Sequence, residues 1–433
     1  MMRALVVGNG AREHIIAEKL SESSEVYAFM SRRNPGISRI CRDFRLGSLT
    51  DFESIRRFSE NIAPDFVFVG PEEPLVNGIS DVIKNVIGPN KSLARLEGDK
   101  SFCRNFLRER IGYGYPRYMV CDSYEEAVQA IEDIGDVVVK PAGLTAGKGV
   151  RVLGQQLRDQ REAKEYAREL LDKRLGGMNT VVIEERIDGE EFTLQAFCDG
   201  DHLFPMPVVQ DHKYAYEGDR GPMTGGMGSY SSEDHLLPFL EGEEVNEARG
   251  IMKKTVEELR KDGERYRGVL YGGFMLGSAG VKLLEYNVRF GDPEAMNVLS
   301  LLKGDLSELC VRILEGDLKR VEFEDMATVC KYLVPRGYPD NPEKGVEITV
   351  NEPVGTKLYY ASVEESDGKT YISGSRALAV LGKGGTIEEA ERIAEEGAYE
   401  IKTNGLWYRS DIGKKELIER RVQHISGLKR QSL

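Results

Sequence analysis

The sequence lacks the positive charge that binders of nucleic acids and membrane surfaces need. Its 433 residues include 59 Lys and Arg against 72 Asp and Glu, a formal net charge of −13. Because phosphate-rich partners are bound chiefly by clustered cations, we expect neither a nucleic acid nor a membrane among the partners. Anions can still be bound locally, by backbone N–H groups, helix N-termini and a few well-placed cations.

Paired cysteines and long apolar runs are missing as well. The six cysteines are scattered and form no C-x-x-C pair, which argues against a disulfide framework or zinc site and for a reducing compartment. Residues 1–7 run directly into a strand, and no later segment is long and apolar enough to span a membrane. We therefore expect a soluble, cytoplasmic protein. We also expect a monomer.

Short apolar strands alternate with amphipathic helices over residues 3–90. This order is typical of βαβ units around a parallel sheet. The predicted elements, in chain order, are the strand Ala4–Val7, a helix at 12–20, the strand Val26–Met30, a helix at 52–62, the strand Phe66–Val69 and a helix at 73–84.

The pattern changes twice further along the chain. From about residue 100, strands and helices follow in mixed order, with a loop-rich stretch at 205–240, which indicates an α+β core. Short β-like runs separated by turn signals fill the last hundred residues. We therefore expect three domains: a parallel α/β domain at 1–99, a two-lobed core at 100–327 whose first lobe covers about 115–187, and a small, mostly β domain at 328–433.

One short stretch, Leu283–Glu294 (LLEYNVRFGDPE), is the most informative about function. Alternating apolar residues predict a strand in its first half, so the side chains of Glu285 and Asn287 lie on one face. A carboxylate and an amide oxygen beside Arg289 suit Mg²⁺ bound to phosphates. The alternative, from this stretch alone, is a polar edge strand exposed to solvent.

The turn after the first strand, residues 8–13 (GNGARE), opens a helix. Glycines there let the backbone approach an anion at the helix N-terminus. A dinucleotide-binding turn needs a third glycine where this chain has Glu13, and an acid after the second strand, where it has Arg32 and Arg33. These differences disfavour NAD against a smaller phosphorylated ligand; a strand–helix turn without any ligand is the alternative.

Two lysines flank a second glycine loop. Lys140 ends an apolar strand, and Lys148 lies within Ala142–Val150 (AGLTAGKGV). The spacing is not that of a Walker A loop, which has four residues between its glycines and Ser or Thr after the lysine. Two lysines around a flexible glycine segment suggest a lid over a triphosphate, whereas Lys148 alone could be a solvated loop tip.

Two further stretches carry weaker signals. Val181–Thr193 reads as strand, acidic turn and strand; such a linker can bind an adenine edge, with Glu191 near the ribose, although acidic turns are commonly just solvated. In 211–229, an acid and a lysine precede several glycines, which allow the backbone to approach an amino acid closely. A surface loop is the alternative there.

The order of these segments resembles the ATP-grasp superfamily, whose members bind ATP between two α+β lobes and activate a carboxylate as an acyl phosphate for attack by an amine. Over essentially the whole chain, the sequence is similar to the phosphoribosylamine–glycine ligase family of purine biosynthesis. It departs from that family's common pattern at Met223 and Met296. The similarity rests on Gly8–His14, Val69–Leu75, Gly143–Val150, Gln210–Lys213, Thr224–Gly228 and, most specifically, Arg289–Glu294.

The resemblance implies a set of site residues, with Arg289 and Lys148 acting on the transferred phosphoryl group. The metal, Mg²⁺ or Mn²⁺, would be held by Glu285 and Asn287; related enzymes carry a further ligand on the preceding strand, where this chain has Gly273 or Phe274. The residues implied for ATP are Lys100, Lys140, Gly147, Lys148, Gly149, Glu184, Glu185, Arg186, Ile187 and Glu191. Those implied for glycine and 5-phosphoribosylamine are Gly8, Asn9, Gly10, Arg12, Glu13, Pro71, Glu72, Asp211, Lys213, Gly225, Gly226, Arg289 and Asp292.

The implied reaction joins glycine to 5-phosphoribosylamine through glycyl phosphate, giving glycinamide ribonucleotide, ADP and phosphate. Three alternatives are distinguishable by assay. Another ATP-grasp ligase or a carboxylase of purine metabolism would turn over ATP with a different substrate such as bicarbonate. A NAD-dependent oxidoreductase would bind NADH, and a nucleotide sensor would bind ATP without turnover.

Overall fold

The computed structural model describes residues 1–145, 149–401 and 405–431. Residues 1–99 form a parallel sheet with the strand order β3-β2-β1-β4-β5. Its strands are β1 (Met2–Val7), β2 (Ser24–Met30), β3 (Asp43–Leu46), β4 (Phe66–Val69) and β5 (Val86–Ile87). The helices are α1 (Ala11–Ser21), α2 (Pro35–Ile40), α3 (Phe52–Ile62), α4 (Glu72–Val76), α5 (Ile79–Val82) and α6 (Lys91–Gly98).

The parallel α/β architecture predicted for this part is confirmed. All four residues of β4 are buried, as expected for an inner strand covered on both faces. The single helix expected at 73–84 is instead α4 and α5, because Gly78 takes a φ of +93° between them.

Residues 118–185 form a small lobe, which we call the flap lobe, around an antiparallel sheet in the order β6-β9-β7-β8. It follows α7 (Lys100–Phe106) and a π-helical turn at Leu107–Ile111. Its elements are β6 (Tyr118–Cys121), α8 (Tyr124–Ile134), β7 (Val137–Pro141), β8 (Arg151–Val152), α9 (Gln160–Lys173) and β9 (Val181–Glu185). The lobe has its own hydrophobic core, separate from the main one, as a lobe that closes over a ligand requires.

The second lobe of the core is a sheet in the order β11-β10-β16-β17. Its strands are β10 (Gly189–Asp199), β11 (Leu203–Pro205), β16 (Arg267–Gly277) and β17 (Gly280–Asn287). The stretch at 205–240, expected to be loop, contains β12 (Gln210–Asp211), β13 (Tyr214–Tyr216), β14 (Arg220–Met223) and β15 (Gly228–Ser231). The other elements of this part are α10 (Gly242–Lys261), α11 (Glu294–Leu301), β18 (Leu302–Lys303), α12 (Leu306–Glu315) and β19 (Glu322–Phe323).

The C-terminal part is rich in β-structure and is tied to the core by shared strands. Its sheet runs β12-β15-β20-β25-β22, so two strands from the 205–240 stretch are members of it. The elements are β20 (Ala327–Pro335), β21 (Glu347–Ile348), β22 (Lys357–Tyr360), β23 (Val363–Ser366), β24 (Lys369–Ile372), β25 (Leu378–Gly384), α13 (Ile387–Ile401), β26 (Leu406–Trp407) and α14 (Lys415–Gln431). The glycine-rich loop before β15 is therefore held at a junction of domains. Within the described residues, no helix combines the length and apolarity that a membrane crossing needs.

Candidate active site

A cavity of about 670 Å³ lies where all three parts of the chain meet. The N-terminal part contributes Arg12 and Glu72 to its wall, and the core contributes Lys140 and Glu285. The C-terminal part contributes Arg376. Several of these residues were predicted from separate segments of the sequence, and the fold places them around one cavity.

Glu285 and Asn287 lie at the end of β17 and both line this cavity. The Asn287 side-chain N–H donates to Glu285 Oε1 at 3.4 Å, and Asn287 Oδ1 accepts from Arg289 at 3.0 Å. Burial opposes ionisation of Glu285, but the nearby Lys213 and Lys100 ammonium groups outweigh it and lower its pKa. A charged carboxylate beside an amide oxygen is a donor set that suits a hard divalent cation.

The preceding strand β16 offers no further side-chain ligand at the position where the resemblance implies one. Gly273 faces Glu285 across the sheet, and Phe274 is buried in the core. Among the residues that the structure describes, no group of three or more His, Cys, Asp or Glu side chains could hold a metal. Glu285 and Asn287 remain the predicted protein ligands of a cation at this site, with phosphate oxygens or water expected to complete its shell.

Arg289 is held between two carboxylates of the N-terminal part. It lies 2.9 Å from Glu97 Oε1 and 3.3 Å from Glu72 Oε2. Burial raises the pKa of Glu97 to about 7 even though Arg289 opposes this, whereas Arg289 and Arg12 outweigh burial and lower the pKa of Glu72 to about 2. Glu97 also accepts from the backbone N–H of Val288 at 2.7 Å. Arg289 is thus a fixed cation beside Asn287.

Of the lysines predicted for the phosphates, Lys100 and Lys140 lie at the cavity, and each has a partner within the protein. Lys140 donates to Glu184 at 2.7 Å, and Lys100 donates to the carbonyl of Gly143 at 3.0 Å. Burial lowers the pKa of Lys100. Gly147 and Lys148 lie outside the described residues. Gly149 is packed closely, since a Cβ there would come within 2.7 Å of Pro141 Cγ.

Glu184 is a structural centre of the site. Arg104 donates to both of its carboxylate oxygens, at 2.6 and 3.0 Å, and also to the carbonyls of Leu283 and Leu284 on β17. Both Arg104 and Glu184 are 2 % exposed. Arg104 therefore joins the flap lobe to the strand of Glu285, a role that sequence analysis did not predict.

The three residues that follow Glu184 do not extend their side chains into the cavity. Glu185 accepts from the backbone N–H of Arg117, and the Arg186 guanidinium donates to the carbonyl of Leu153 at 3.1 Å. Ile187 packs where a side chain on Gly277 would lie. These three side chains fix the turn, and the predicted contact with the nucleotide would be made by main-chain groups.

Glu191 and Lys213 meet as a pair at the cavity. Lys213 Nζ donates to Glu191 Oε2 at 2.5 Å, and both residues line the wall. Burial alone would lower the pKa of Lys213, but Glu191 and Glu285 raise it well above its usual range. The pair connects the acidic turn to the loop that follows β12.

The glycine-rich loop surrounds a buried carboxylate. Asp211 lines the cavity, and its Oδ1 has no hydrogen-bond partner among the described residues. Burial, helped by Glu294, raises the pKa of Asp211 well above its usual value. Gly226 has a φ of +104°, and a Cβ there would lie 2.5 Å from Asp211 Oδ1. The loop needs glycine at this position because the carboxylate occupies the adjacent space.

Arg376 closes this loop from the C-terminal part. Its guanidinium donates to the carbonyls of Gly225 and Gly226 and to that of Asp292, at 2.5 to 3.0 Å, and pairs with the Asp292 carboxylate at 3.1 Å. The same group lies 4.3 Å from the centre of the Tyr332 ring. The predicted residues Gly225, Gly226 and Asp292 are thus brought together, and Asp292 has a positioning contact.

The glycine turn after β1 holds a side chain of its own. The Glu13 carboxylate accepts from the backbone N–H of Gly10 at 2.5 Å and pairs with Arg12 at 2.7 Å. A Cβ on Gly8 would lie 2.6 Å from Glu13 and 2.9 Å from Pro71. The Asn9 side chain accepts from Ser31. Gly8, Asn9, Gly10, Glu13 and Pro71 build this turn, and Arg12 and Glu72 line the cavity beside it. Binding of a ligand by the turn stays a prediction.

The two residues that depart from the family pattern lie in different parts of the structure. Met223 lines the cavity, whereas Met296 is fully buried in α11.

Three residues that the sequence analysis missed are Glu97, Arg104 and Arg376. Their one sequence signal is a charged side chain within an apolar stretch, which shows that a partner exists but not which one.

Comparisons with known proteins agree with this geometry. Models of phosphoribosylglycinamide synthetase match residues 2–97 (N domain), 98–295 (ATP-grasp domain) and 328–415 (C domain). Phosphoribosylamine–glycine ligases of Methanobrevibacter smithii and Methanocaldococcus jannaschii are 49% and 48% identical, over 98% and 99% of this chain and 99% and 100% of theirs.

Solved structures give the same result. That of the phosphoribosylamine–glycine ligase from Thermotoga maritima is 32% identical, with a TM-score of 0.82 over 95% of this chain and 100% of its own. A biotin carboxylase from Campylobacter jejuni, 12% identical over 99% of both chains with a TM-score of 0.75, shares the fold. The predicted ATP-grasp fold class is thereby confirmed. The chain belongs to the phosphoribosylglycinamide synthetase family.

Proposed function

We propose that this enzyme is an ATP-dependent carbon–nitrogen ligase that joins glycine to 5-phosphoribosylamine in purine biosynthesis. The products are glycinamide ribonucleotide, ADP and phosphate. The observation that carries the proposal is the shared cavity. It combines a carboxylate and an amide oxygen that would suit a cation, two lysines, and the Asp211 carboxylate, whose buried Oδ1 has no partner among the described residues, in a chain matched along nearly its whole length by this family.

We assign the nucleotide to the side of the cavity between the flap lobe and β17. Lys100 and Lys140 would face the phosphates there, Lys148, which lies outside the described residues, is assigned to them as well, and Glu191 would bind the ribose. Glu285 and Asn287 would hold Mg²⁺, or Mn²⁺, which when bound neutralises phosphate charge. The adenine would contact the main chain of residues 184–187, since their side chains are engaged elsewhere.

The amino acid fits the pocket at Asp211. The free Oδ1 of Asp211 can accept from the ammonium group of glycine, and the tight turn at Gly225 and Gly226 leaves room for its small body. A cationic ligand would restore the charged form of Asp211, whose pKa is raised in its absence. Larger amino acids would meet the turn held by Arg376.

The chemistry would need positioning rather than a side-chain nucleophile. A glycine carboxylate oxygen attacks the γ-phosphorus, the bond to ADP breaks, and glycyl phosphate forms. The amine of phosphoribosylamine then attacks the acyl carbon, the bond from that carbon to the bridging oxygen breaks, and phosphate leaves with that oxygen while the nitrogen loses one proton. Arg289, held by Glu97 and Glu72, would be the fixed cation beside the transferred group. Exclusion of water by the flap lobe would protect the acyl phosphate from hydrolysis.

The proposal extends to the setting of the enzyme. We assign it to the cytoplasm, as a monomer that acts on small molecules and binds no nucleic acid. Its division into domains at 1–99, 100–327 and 328–433 is likewise proposed, with strands β12 and β15 crossing the second boundary to join the C-terminal sheet.

The test measures ADP release by the purified enzyme with phosphoribosylamine generated in situ. We expect release only when glycine and a divalent cation are both present. Glycine-independent release that requires bicarbonate instead would refute the proposal in favour of a carboxylase. ATP binding without any turnover would point to a nucleotide sensor.

A further inference from the structure

The C-terminal wall of the cavity is rich in unpaired hydrogen-bond donors. It is formed by the turn at Gly374–Arg376, between β24 and β25, and by Lys344. Within the described residues, the backbone N–H groups of 374–376 have no hydrogen-bond partner. The Ser375 hydroxyl and the Lys344 ammonium group likewise have none in that part of the chain.

These donors lie close together. A Cβ on Gly374 would be 3.6 Å from Lys344 Cε, so the end of the lysine side chain lies over the turn. Ser375 and Lys344 are exposed, whereas Gly374 and Arg376 are half-buried. Successive backbone N–H groups beside an ammonium group form an arrangement that binds phosphate well.

Among the described residues, the other cations around the cavity are paired with carboxylates, apart from Lys100, which donates to the Gly143 carbonyl and which we assign to ATP. Arg12 is paired with Glu13, Arg289 with Glu97 and Glu72, and Arg376 with Asp292. The glycine turn after β1 is filled by the Glu13 carboxylate, which repels a second anion. A phosphate that is not part of ATP therefore finds a free cation at Lys344.

We propose that Lys344 and the Gly374–Arg376 turn bind the phosphate group of the sugar-phosphate substrate. The phosphate would lie at the outer wall, and the rest of the sugar would extend inward toward the Asp211 pocket. This inference rests on the proposed ligase function, because that function requires a phosphorylated amine as the second substrate.

The test begins with binding, which needs no turnover. We expect ribose 5-phosphate, measured by calorimetry on the full-length protein, to bind at least tenfold more tightly than ribose. Lys344→Ala should weaken ribose 5-phosphate binding at least tenfold, equivalent to about 1.4 kcal/mol, and Lys344→Arg should restore most of it. Lys369→Ala is the matched control, since Lys369 is an exposed lysine of the same domain that pairs with Glu347.

Steady-state kinetics supply the second measurement. Lys344→Ala should raise the KM for phosphoribosylamine at least tenfold while leaving the KM values for ATP and glycine, and kcat, within twofold.

Equal binding of ribose and ribose 5-phosphate, or unchanged binding by Lys344→Ala, would overturn the phosphate site. Inorganic phosphate that binds as tightly as ribose 5-phosphate would overturn the sugar-phosphate assignment. If Lys344→Ala loses ribose 5-phosphate binding while the wild-type enzyme forms no ADP with glycine, the ligase function is overturned and the phosphate site stands.

Discussion

Replacing Glu184 with glutamine should destabilise the enzyme by about 3 kcal/mol at neutral pH. Burial opposes the charge of Glu184, but Arg104 and then Lys140 outweigh it and lower its pKa from 4.5 to about 2. Since one pKa unit corresponds to about 1.4 kcal/mol, the charged form gains about 3 kcal/mol in the folded state. Breaking a buried ion pair by removing one partner typically costs about 3–5 kcal/mol, which agrees.

The pH dependence follows from the direction of this shift. Because the pKa of Glu184 is lower in the folded than in the unfolded chain, its contribution is fully present above pH 4.5. It is lost as the pH falls from 4.5 toward 2. The difference in stability between wild type and Glu184→Gln should therefore be constant near pH 7 and shrink below pH 4.5.

Urea denaturation followed by circular dichroism, at pH 7 and in steps down to pH 4, measures this difference. Glu169→Gln is the control, because Glu169 forms an exposed pair with Lys173 in the same lobe and should change stability by only a few tenths of a kcal/mol. A Glu184→Gln variant within about 1 kcal/mol of wild type at pH 7 would show that the Arg104–Glu184–Lys140 cluster is energetically neutral, contrary to our reasoning.

Three further predictions concern activity. Glu285→Ala should abolish metal-dependent ADP release with an unchanged melting temperature, and near-normal turnover would contradict the metal role. Lys148→Ala should raise the KM for ATP or lower kcat with little loss of stability; if both constants stay at wild-type values, Lys148 is a solvated loop residue. Gly226→Ala should raise the KM for glycine more than that for ATP, because its Cβ would lie 2.5 Å from Asp211 in a backbone conformation that disfavours alanine; equal changes in both would show a general loosening instead.

Local patterns were sufficient to predict much of the fold. The inner strands β1 and β4 of the N-terminal domain contain apolar runs. The helix predicted at 52–62 is α3, which begins after a capping acid, Asp51, whose side chain accepts from the Ser54 N–H. The shared face of Glu285 and Asn287 follows from the two-residue period of a strand. These features depend on neighbours in the sequence.

The parts that escaped prediction depend on distant partners. Arg104 binds a carboxylate 80 positions away, and Arg376 binds a carbonyl 151 positions away. The role of Glu13 depends on the space between the strands β1 and β4, since its carboxylate would clash with a Cβ on either Gly8 or Gly70. The sequence of residues 8–13 alone does not distinguish a turn that can bind an anion from a turn whose space is already occupied by a carboxylate.

That built-in carboxylate has a consequence for selectivity inside a cell. Domains with this strand order and glycine turn are suited to pyrophosphate groups. Because the Glu13 carboxylate occupies the turn, we expect this N-terminal domain to bind dinucleotides poorly. Engineering a dinucleotide site into this scaffold would accordingly start by removing Glu13.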